Sequence, residues 1–181
     1  MKRRSFLTSL LLAPAALAHS PWGQYAVYRQ KHLLILSSKT DPDSYPYSEV
    51  LVDAINREEP QAKARAARAK DINRCYNLIL TNQMQFMLLP RQTTNAMREN
   101  TGQFSDRESL PIKTMYEFGD LVLSVRSDME DNIVRIVTYS ILEQLDKLPN
   151  ASNPEEILRI DTVHSESLAA IRTFLARHPK S

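Results

Sequence analysis

The chain has little cysteine, little glycine and no long hydrophobic run. Of its 181 residues, one is cysteine and three are glycine. A single cysteine excludes an intramolecular disulfide, and the apolar neighbours of Cys75 predict a buried structural thiol rather than a reactive one. The sequence also has no phosphate-binding loop, no zinc-ligand spacing and no local signature of a Ser-His-Asp triad. We therefore expect neither an enzyme nor a bound cofactor.

The first 18 residues are typical of an export signal. A basic start at residues 2–4 is followed by an apolar stretch at 10–13 and a small-residue end at 16–18. The apolar stretch is too short to cross a bilayer, so we expect cleavage rather than anchoring. The paired arginines before residues 5–7 resemble the twin-arginine motif, which exports folded proteins, and the alternative is an ordinary secretory signal. We predict a periplasmic protein.

The charge of the remaining chain is nearly balanced. Removing the three basic residues at 2–4 from a total of 23 leaves 20, against 21 acidic residues, a formal net charge of −1. This balance gives no strong attraction to nucleic acid or to a membrane surface. We expect residues 19–181 to form one domain with no membrane span, large enough to bury a sizeable core.

Apolar periodicity and turn residues predict alternating strands and helices. Strands are predicted at 32–36, at 84–89 and in two pieces of 112–126 that break at Gly119-Asp120; helices are predicted at 48–57, 72–81, 93–99, 132–148, from Pro154, and at 164–177. The methionines at 84, 87, 97 and 115 are expected in the core, because their neighbours are apolar. This pattern predicts an α/β domain with a three- to five-stranded, mostly parallel sheet and helices on both faces.

Residues 58–70 have two interpretations. Their alanine and basic residues favour a helix with Pro60 in its first turn. Alanines at 62, 64 and 66 alternate with Lys63 and Arg65, which favours a half-buried strand. In either case Asp71 is expected to cap the following helix.

Several segments, taken in order, resemble the TAXI-type solute receptors of TRAP transporters, which are periplasmic binding proteins. LLILSSKTDPDSYPYSEVLVDAIN resembles the first strand, a loop with a tyrosine and the first helix, and ARAARAKDINRCYNLILTNQMQFMLL resembles the second strand through the third. TTNAMRENTGQF, LPIKTMYEFGDLVLSVRSDM, DNIVRIVTYSILEQLDKL and HSESLAAIRTFLARH resemble the segments that follow. The resemblance favours the strand interpretation of residues 62–68.

The chain departs from that family in two places. Family members insert a second α/β lobe after the strand that ends near Arg126, whereas here residues 127–129 lead almost directly into the next helix. The first loop has Ser37, Ser38 and Lys39 where the family has glycines. The resemblance thus implies one lobe of a two-lobed receptor, and only half of a binding site.

The resemblance and the pattern together point to a ligand site at the carboxyl ends of the strands. A strand, a hydroxyl-rich loop and a helix start form a natural anion site. The candidate ligand-binding residues are Thr40, Ser44, Tyr45, Lys70, Asp71, Asn73, Arg91 and Gln92. Arg91 and Lys70 would hold a small carboxylate or oxyanion. The alternative is a polar loop surface in which Asp71 and Ser44 have ordinary capping roles.

Two other functions remain open. The missing lobe suggests an accessory or interaction protein of an exported redox enzyme, docked through the exposed sheet ends, or a homodimer that rebuilds a closed cleft. Cleavage after Ala18 would make His19 the N-terminus, where its amine and ring could ligate copper together with a second histidine, such as His32, His164 or His178. These interpretations predict a protein partner and a metal, respectively.

Overall fold

A computed structural model describes residues 32–178, in which five strands alternate with helices. The strands are β1 Leu34–Ser38, β2 Arg65–Ala69, β3 Phe86–Pro90, β4 Ile112–Phe118 and β5 Leu121–Arg126. The helices are α1 Ser44–Glu58, α2 Ile72–Leu80, α3 Arg91–Glu99, α4 Asp131–Leu142, α5 Pro154–Ile157 and α6 Ser165–Arg177. Within residues 32–178, none of the helices combines the length and apolarity that a membrane crossing requires.

The strands form one mixed sheet in the order β2-β1-β3-β5-β4. Strand β1 pairs in parallel with both β2 and β3, while β5 pairs antiparallel with β3 and with β4. Four of the five strands therefore run in one direction, and β5 alone runs against them. The prediction of an α/β domain with a mostly parallel sheet is confirmed, and the architecture is compatible with a single lobe of a binding-protein-like fold.

Both faces of the sheet are covered, because successive side chains of a strand point to opposite faces. On one face, Ile35 and Leu88 pack with apolar residues of α1, α4 and α6. On the other face, Leu36 and Met87 pack with residues of α2 and α3. The four methionines predicted in the core are all buried. The prediction of helices on both faces is thus confirmed.

Several predicted boundaries were wrong. Strand β3 begins at Phe86 rather than at residue 84, and α3 begins at Arg91 rather than at residue 93. Strand β1 extends to Ser38 because its serines are buried with partners, and the Ser37 hydroxyl donates to the carbonyl of Ala67 at 3.0 Å. Helix α1 begins at Ser44 rather than at residue 48, because Pro46 lies in the first turn, where no intrahelical N–H is needed. Helix α4 ends at Leu142 rather than at residue 148, since the chain tightens into a 3-10 turn.

Two further predictions agree with the structure. Residues 58–70 form a 3-10 turn, Pro60–Ala62, followed by β2, so the strand interpretation is confirmed with a later start. The hairpin between β4 and β5 breaks at Gly119, which has φ +58°, as the turn predicted there requires.

The two outer edges of the sheet differ. The edge of β4 is covered by later segments: the Thr114 amide donates to the carbonyl of Thr162 at 2.9 Å, and the Gly119 amide donates to that of Asn150 at 2.8 Å. Strand β2 has a neighbour only on its β1 side among the described residues. Among residues 32–178, the sheet therefore has one protected edge, at β4, and one open edge, at β2.

Truncating the centre of β3 is expected to cost much of the stability. Leu88 is fully buried, so Leu88→Ala should lower the free energy of unfolding by about 2–5 kcal/mol through lost burial and a residual cavity. Val50 on α1 is 41% exposed, and Val50→Ala should change it by less than about 0.5 kcal/mol. Urea unfolding of the full chain measures both, and equal effects would contradict the two-faced core.

Candidate functional site

The carboxyl ends of β1, β2 and β3 lie at one edge of the sheet, which we call the carboxyl edge (residues 38–45, 70–73 and 90–92). Strand β1 leads into α1 on one face, and its neighbour β3 leads into α3 on the other. Two adjacent strands whose connections leave to opposite faces create a crevice, the usual ligand position in open α/β sheets. All eight candidate residues belong to this edge.

The loop after β1 is organised around Ser38, which was not among the candidate ligand-binding residues. The Ser38 hydroxyl is 2.8 Å from that of Thr40 and accepts from the Thr40 amide at 3.2 Å. The Ser38 amide in turn donates to the Ser44 hydroxyl at 3.5 Å, and Ser44 is fully buried. The structure thus brings two predicted residues together, but Ser44 is committed to the loop itself, while Thr40 remains exposed.

Aspartates occupy two of the three helix starts at the carboxyl edge. The Asp41 carboxylate accepts from the Ser44 amide at 2.9 Å at the start of α1. The Asp71 carboxylate accepts from the Arg74 amide at 2.8 Å at the start of α2, so the predicted cap is confirmed. Each carboxylate stands where the oxygen of a bound anion would accept. The starts of α1 and α2 are therefore less suited to an anion than the sequence predicted.

Helix α3 begins differently. It follows Pro90 directly and has no side-chain cap, and the Arg91 amide donates to the carbonyl of Asp120 at 2.7 Å. The Arg91 guanidinium donates to the Glu117 carboxylate at 2.5 Å through Nη1 and to the carbonyl of Gly119 at 2.7 Å through Nη2. The Arg91 side chain is nevertheless 42% exposed, whereas that of Glu117 is 9% exposed. A partly exposed arginine is thus held in place beside an uncapped helix start.

Sequence reasoning missed Glu117, which orients Arg91 from 26 residues away in the chain. Its signal was an isolated acidic residue in the apolar strand β4, where a buried carboxylate needs a partner. The identity of that partner depends on how β4 and β3 lie in the sheet, which the local sequence does not reveal.

The remaining candidates lie elsewhere on the carboxyl edge. The Arg68 guanidinium stacks over the half-buried Tyr45 ring at 4.7 Å, an ordinary cation–π distance. The side chains of Lys70, Asn73 and Gln92 are exposed. The role of all these residues as ligand contacts stays a prediction.

Two of the histidines proposed as copper ligands have other contacts in the structure. His19 lies outside the described residues. His164 is buried and caps α6, its Nδ1 accepting from the Glu166 amide at 3.2 Å, and the His178 ring packs against Phe174 at 4.5 Å. Among residues 32–178, no three side chains of His, Cys, Asp or Glu are grouped to hold a metal ion. Copper binding stays a prediction about His19.

Cys75 is a buried thiol, as predicted. Its sulfur lies 3.5 Å from the carbonyl of Ser37. Burial, with the nearby Asp71 charge, raises the pKa of Cys75 to about 12. Because the thiolate is the nucleophile, this residue is chemically quiet at neutral pH.

Removing the Asp71 cap should destabilise α2. Asp71→Ala is expected to lower the free energy of unfolding by about 1 kcal/mol, since an N-terminal amide loses its acceptor. Asp43→Ala is the matched control, because Asp43 stands at the N-cap of α1 without a side-chain cap bond. Urea unfolding compares the two, and a larger effect at Asp43 would disprove the assignment.

Stability should depend on the protonation of His164. Burial, aided by the charge of Lys113, lowers the pKa of His164, while the carboxylates of Asp131 and Glu166 act in the opposite direction. Below the ordinary histidine pKa of about 6.5, the unfolded chain thus binds more protons than the folded one. The free energy of unfolding should therefore rise with pH in the window below about 6.5.

His164→Asn tests this expectation, because asparagine caps helices well and does not titrate in that window. The variant should keep α6 and show a flatter dependence of unfolding free energy on pH between about 5 and 7. Urea unfolding at several pH values measures it. An unchanged slope would assign the dependence to other groups.

Comparison of the chain with family models finds none that matches, and comparison with curated proteins finds no match.

Proposed function

We propose that this chain is an exported, non-enzymatic binding module for a small anionic solute, a single lobe of the solute-receptor type. The observation that carries the proposal is Arg91, partly exposed and oriented by Glu117 at the uncapped start of α3. The N-terminal signal predicted from the sequence would place the module in the periplasm.

The chemistry of this position suits a carboxylate or an oxyanion. A guanidinium has five N–H donors, and two of those of Arg91 are used by Glu117 and Gly119. The others remain for a planar, charged acceptor. The first-turn amides of Gln92 and Thr93 lack intrahelical acceptors, as in any helix start, and add partial positive charge. A ligand would thus meet one positioned cation and backbone donors.

The same geometry limits the affinity. In a two-lobed receptor the ligand is buried between lobes and loses contact with water. Here β5 leads to α4 through residues 127–130, so no second lobe is inserted at this point. A ligand at the carboxyl edge would stay open to solvent on one side. We therefore expect weak binding, unless a second chain supplies the opposite wall.

Titration of the full, ¹⁵N-labelled chain with acetate, succinate, sulfate and phosphate tests the proposal. At least one anion should shift the amide signals of Thr40, Gln92 and Thr93 in a saturable way. Arg91→Gln should weaken its binding about tenfold or more, since a hydrogen bond to a charged group is lost. Arg172→Gln, which removes an exposed cation from α6, is the control and should leave the affinity unchanged.

Two outcomes would contradict this function. One is the absence of saturable shifts at the carboxyl edge with every anion. The other is an equal loss of affinity in Arg91→Gln and Arg172→Gln, which would indicate general charge attraction. Sedimentation of the chain with and without the anion separates the single lobe from a dimer that closes the cleft.

The accessory-protein interpretation stays a prediction. The open edge of the sheet gives it a specific surface, which does not include Arg91 or the start of α3.

A further inference from the structure

The outer edge of β2 presents backbone groups that its neighbour does not use. The Arg65 amide donates to the carbonyl of Leu33 at 2.8 Å, so the backbone of Arg65 faces β1. Residues of a parallel strand alternate in the side to which they direct their N–H and C=O groups. The groups of Ala66 and Arg68 therefore point away from β1, toward the open edge. Such groups must be satisfied by water or by a partner.

Only the beginning of this edge is closed by the described part of the chain. The Asn56 side chain donates to the carbonyl of Ala64 at 2.9 Å and accepts from its amide at 2.6 Å. An amide side chain thus takes the place of a partner strand for one residue. Ala66 and Arg68 follow with exposed or half-buried side chains, and β2 has neither a proline nor a bulge to block pairing.

The open edge is strongly basic. Lys63, Arg65, Arg68 and Lys70 are all exposed, and none takes part in the four ion pairs formed among residues 32–178. Arg65 and Arg68 differ by an odd number of positions, so they flank the edge on opposite faces. The alanines between them are small and leave room for the side chains of an added strand.

We infer that the β2 edge docks an acidic, extended segment of another protein as an additional strand. Main-chain hydrogen bonds to Ala66 and Arg68 would provide affinity, and carboxylates opposite Arg65 and Arg68 would provide selectivity. A second copy of this chain fits poorly, because edge-to-edge pairing would bring two basic strands together. Nucleic acid would satisfy the cations but leave the outward amides without acceptors in strand geometry.

Amide exchange of the full chain gives a direct test. The probe is a blocked octapeptide, Thr-Glu-Val-Thr-Glu-Val-Thr-Glu, whose carboxylates recur every third residue, like Arg65 and Arg68. Its binding should slow hydrogen exchange at the amides of Ala66 and Arg68, which point outward. Replacing each Glu of the peptide by Gln should weaken binding about fivefold or more. Several exposed ion pairs would be lost, and each contributes up to about fivefold to the affinity.

Protein variants separate the two contributions. Arg65→Gln with Arg68→Gln should weaken binding of the acidic peptide about four- to twentyfold, whereas Lys113→Gln, on β4, should leave it unchanged. Ala66→Pro removes an outward N–H without breaking a bond to β1, so it should weaken binding while preserving the fold. If Ala66→Pro fails to fold, the double arginine variant and the exchange pattern still decide.

Four results would overturn the inference. Equal binding of the Glu and Gln peptides would contradict the preference for an acidic partner. Hydrogen exchange at Ala66 and Arg68 that does not change when the peptide binds would contradict binding as an added strand. A concentration-dependent dimer with slow exchange at these amides would assign the edge to a second copy. Tighter binding of a single-stranded oligonucleotide than of the peptide would assign it to nucleic acid.

The chain itself is one more candidate occupant. Slow exchange of Ala66 and Arg68 in the monomer without peptide would mean that residues outside 32–178 already cover the edge. That result would also overturn docking of a foreign segment.

Discussion

Strand β3 is the part of the sheet on which the rest of the structure depends. Its residues from Phe86 to Leu89 are buried on both faces, so it contributes to both cores. It also marks the change of direction in the sheet, since β1 pairs with it in parallel and β5 antiparallel. Strand β3 has a neighbouring strand on each side and an apolar core on each face. Such a strand requires apolar side chains, and its backbone N–H and C=O groups must all be hydrogen-bonded. That constraint positions β1 and the hairpin, and with them the carboxyl edge.

Two arginines fasten the β4–β5 hairpin to the helices. Arg126, at the end of β5, is buried; it donates to the carbonyl of Ile79 at 2.7 Å and pairs with Asp128 through two bonds of 2.8 Å. This contact holds the pKa of Asp128 below its usual range. Arg91 and Glu117 fasten the other end of the hairpin. A buried charge left without its partner is costly, so these contacts hold the two ends of the hairpin against α2 and α3.

The sequence was informative where local chemistry decides and uninformative where distant segments meet. The apolar run of β3, the cap at Asp71 and the turn at Gly119 each follow from adjacent residues, and all three were predicted. The start of α1 was misplaced because Pro46 and the neighbouring hydroxyls also suit a turn. The pairing of Arg91 with Glu117 depends on sheet order, which a single sequence does not contain.

The predicted anion site illustrates the same distinction. Position along the chain correctly assigned all candidates to one edge of the sheet, because parallel strands end together. It did not reveal that Asp41 and Asp71 already fill the helix starts of α1 and α2. From the sequence alone, an aspartate at such a position can be a helix cap or a ligand-binding residue, and only the helix boundary distinguishes the two. What remains open to a ligand is therefore the start of α3, the one of the three without an acidic cap.

The contrast between the two sheet edges follows from where the chain goes after β5. Residues 142–164 return along β4, where the carbonyls of Asn150 and Thr162 accept hydrogen bonds from the amides of Gly119 and Thr114. The outer edge of β4 is therefore covered by the chain itself. On the outer side of β2, the part of the chain that the structure describes supplies one backbone partner, the Asn56 side chain, which pairs with Ala64. An open sheet edge can pair with the same edge of another copy of the protein and lead to aggregation, unless charged residues prevent it. The four basic residues of 63–70 oppose such pairing, because two copies would bring like charges together. The same charges attract an acidic strand, so protection and selective docking have one physical origin.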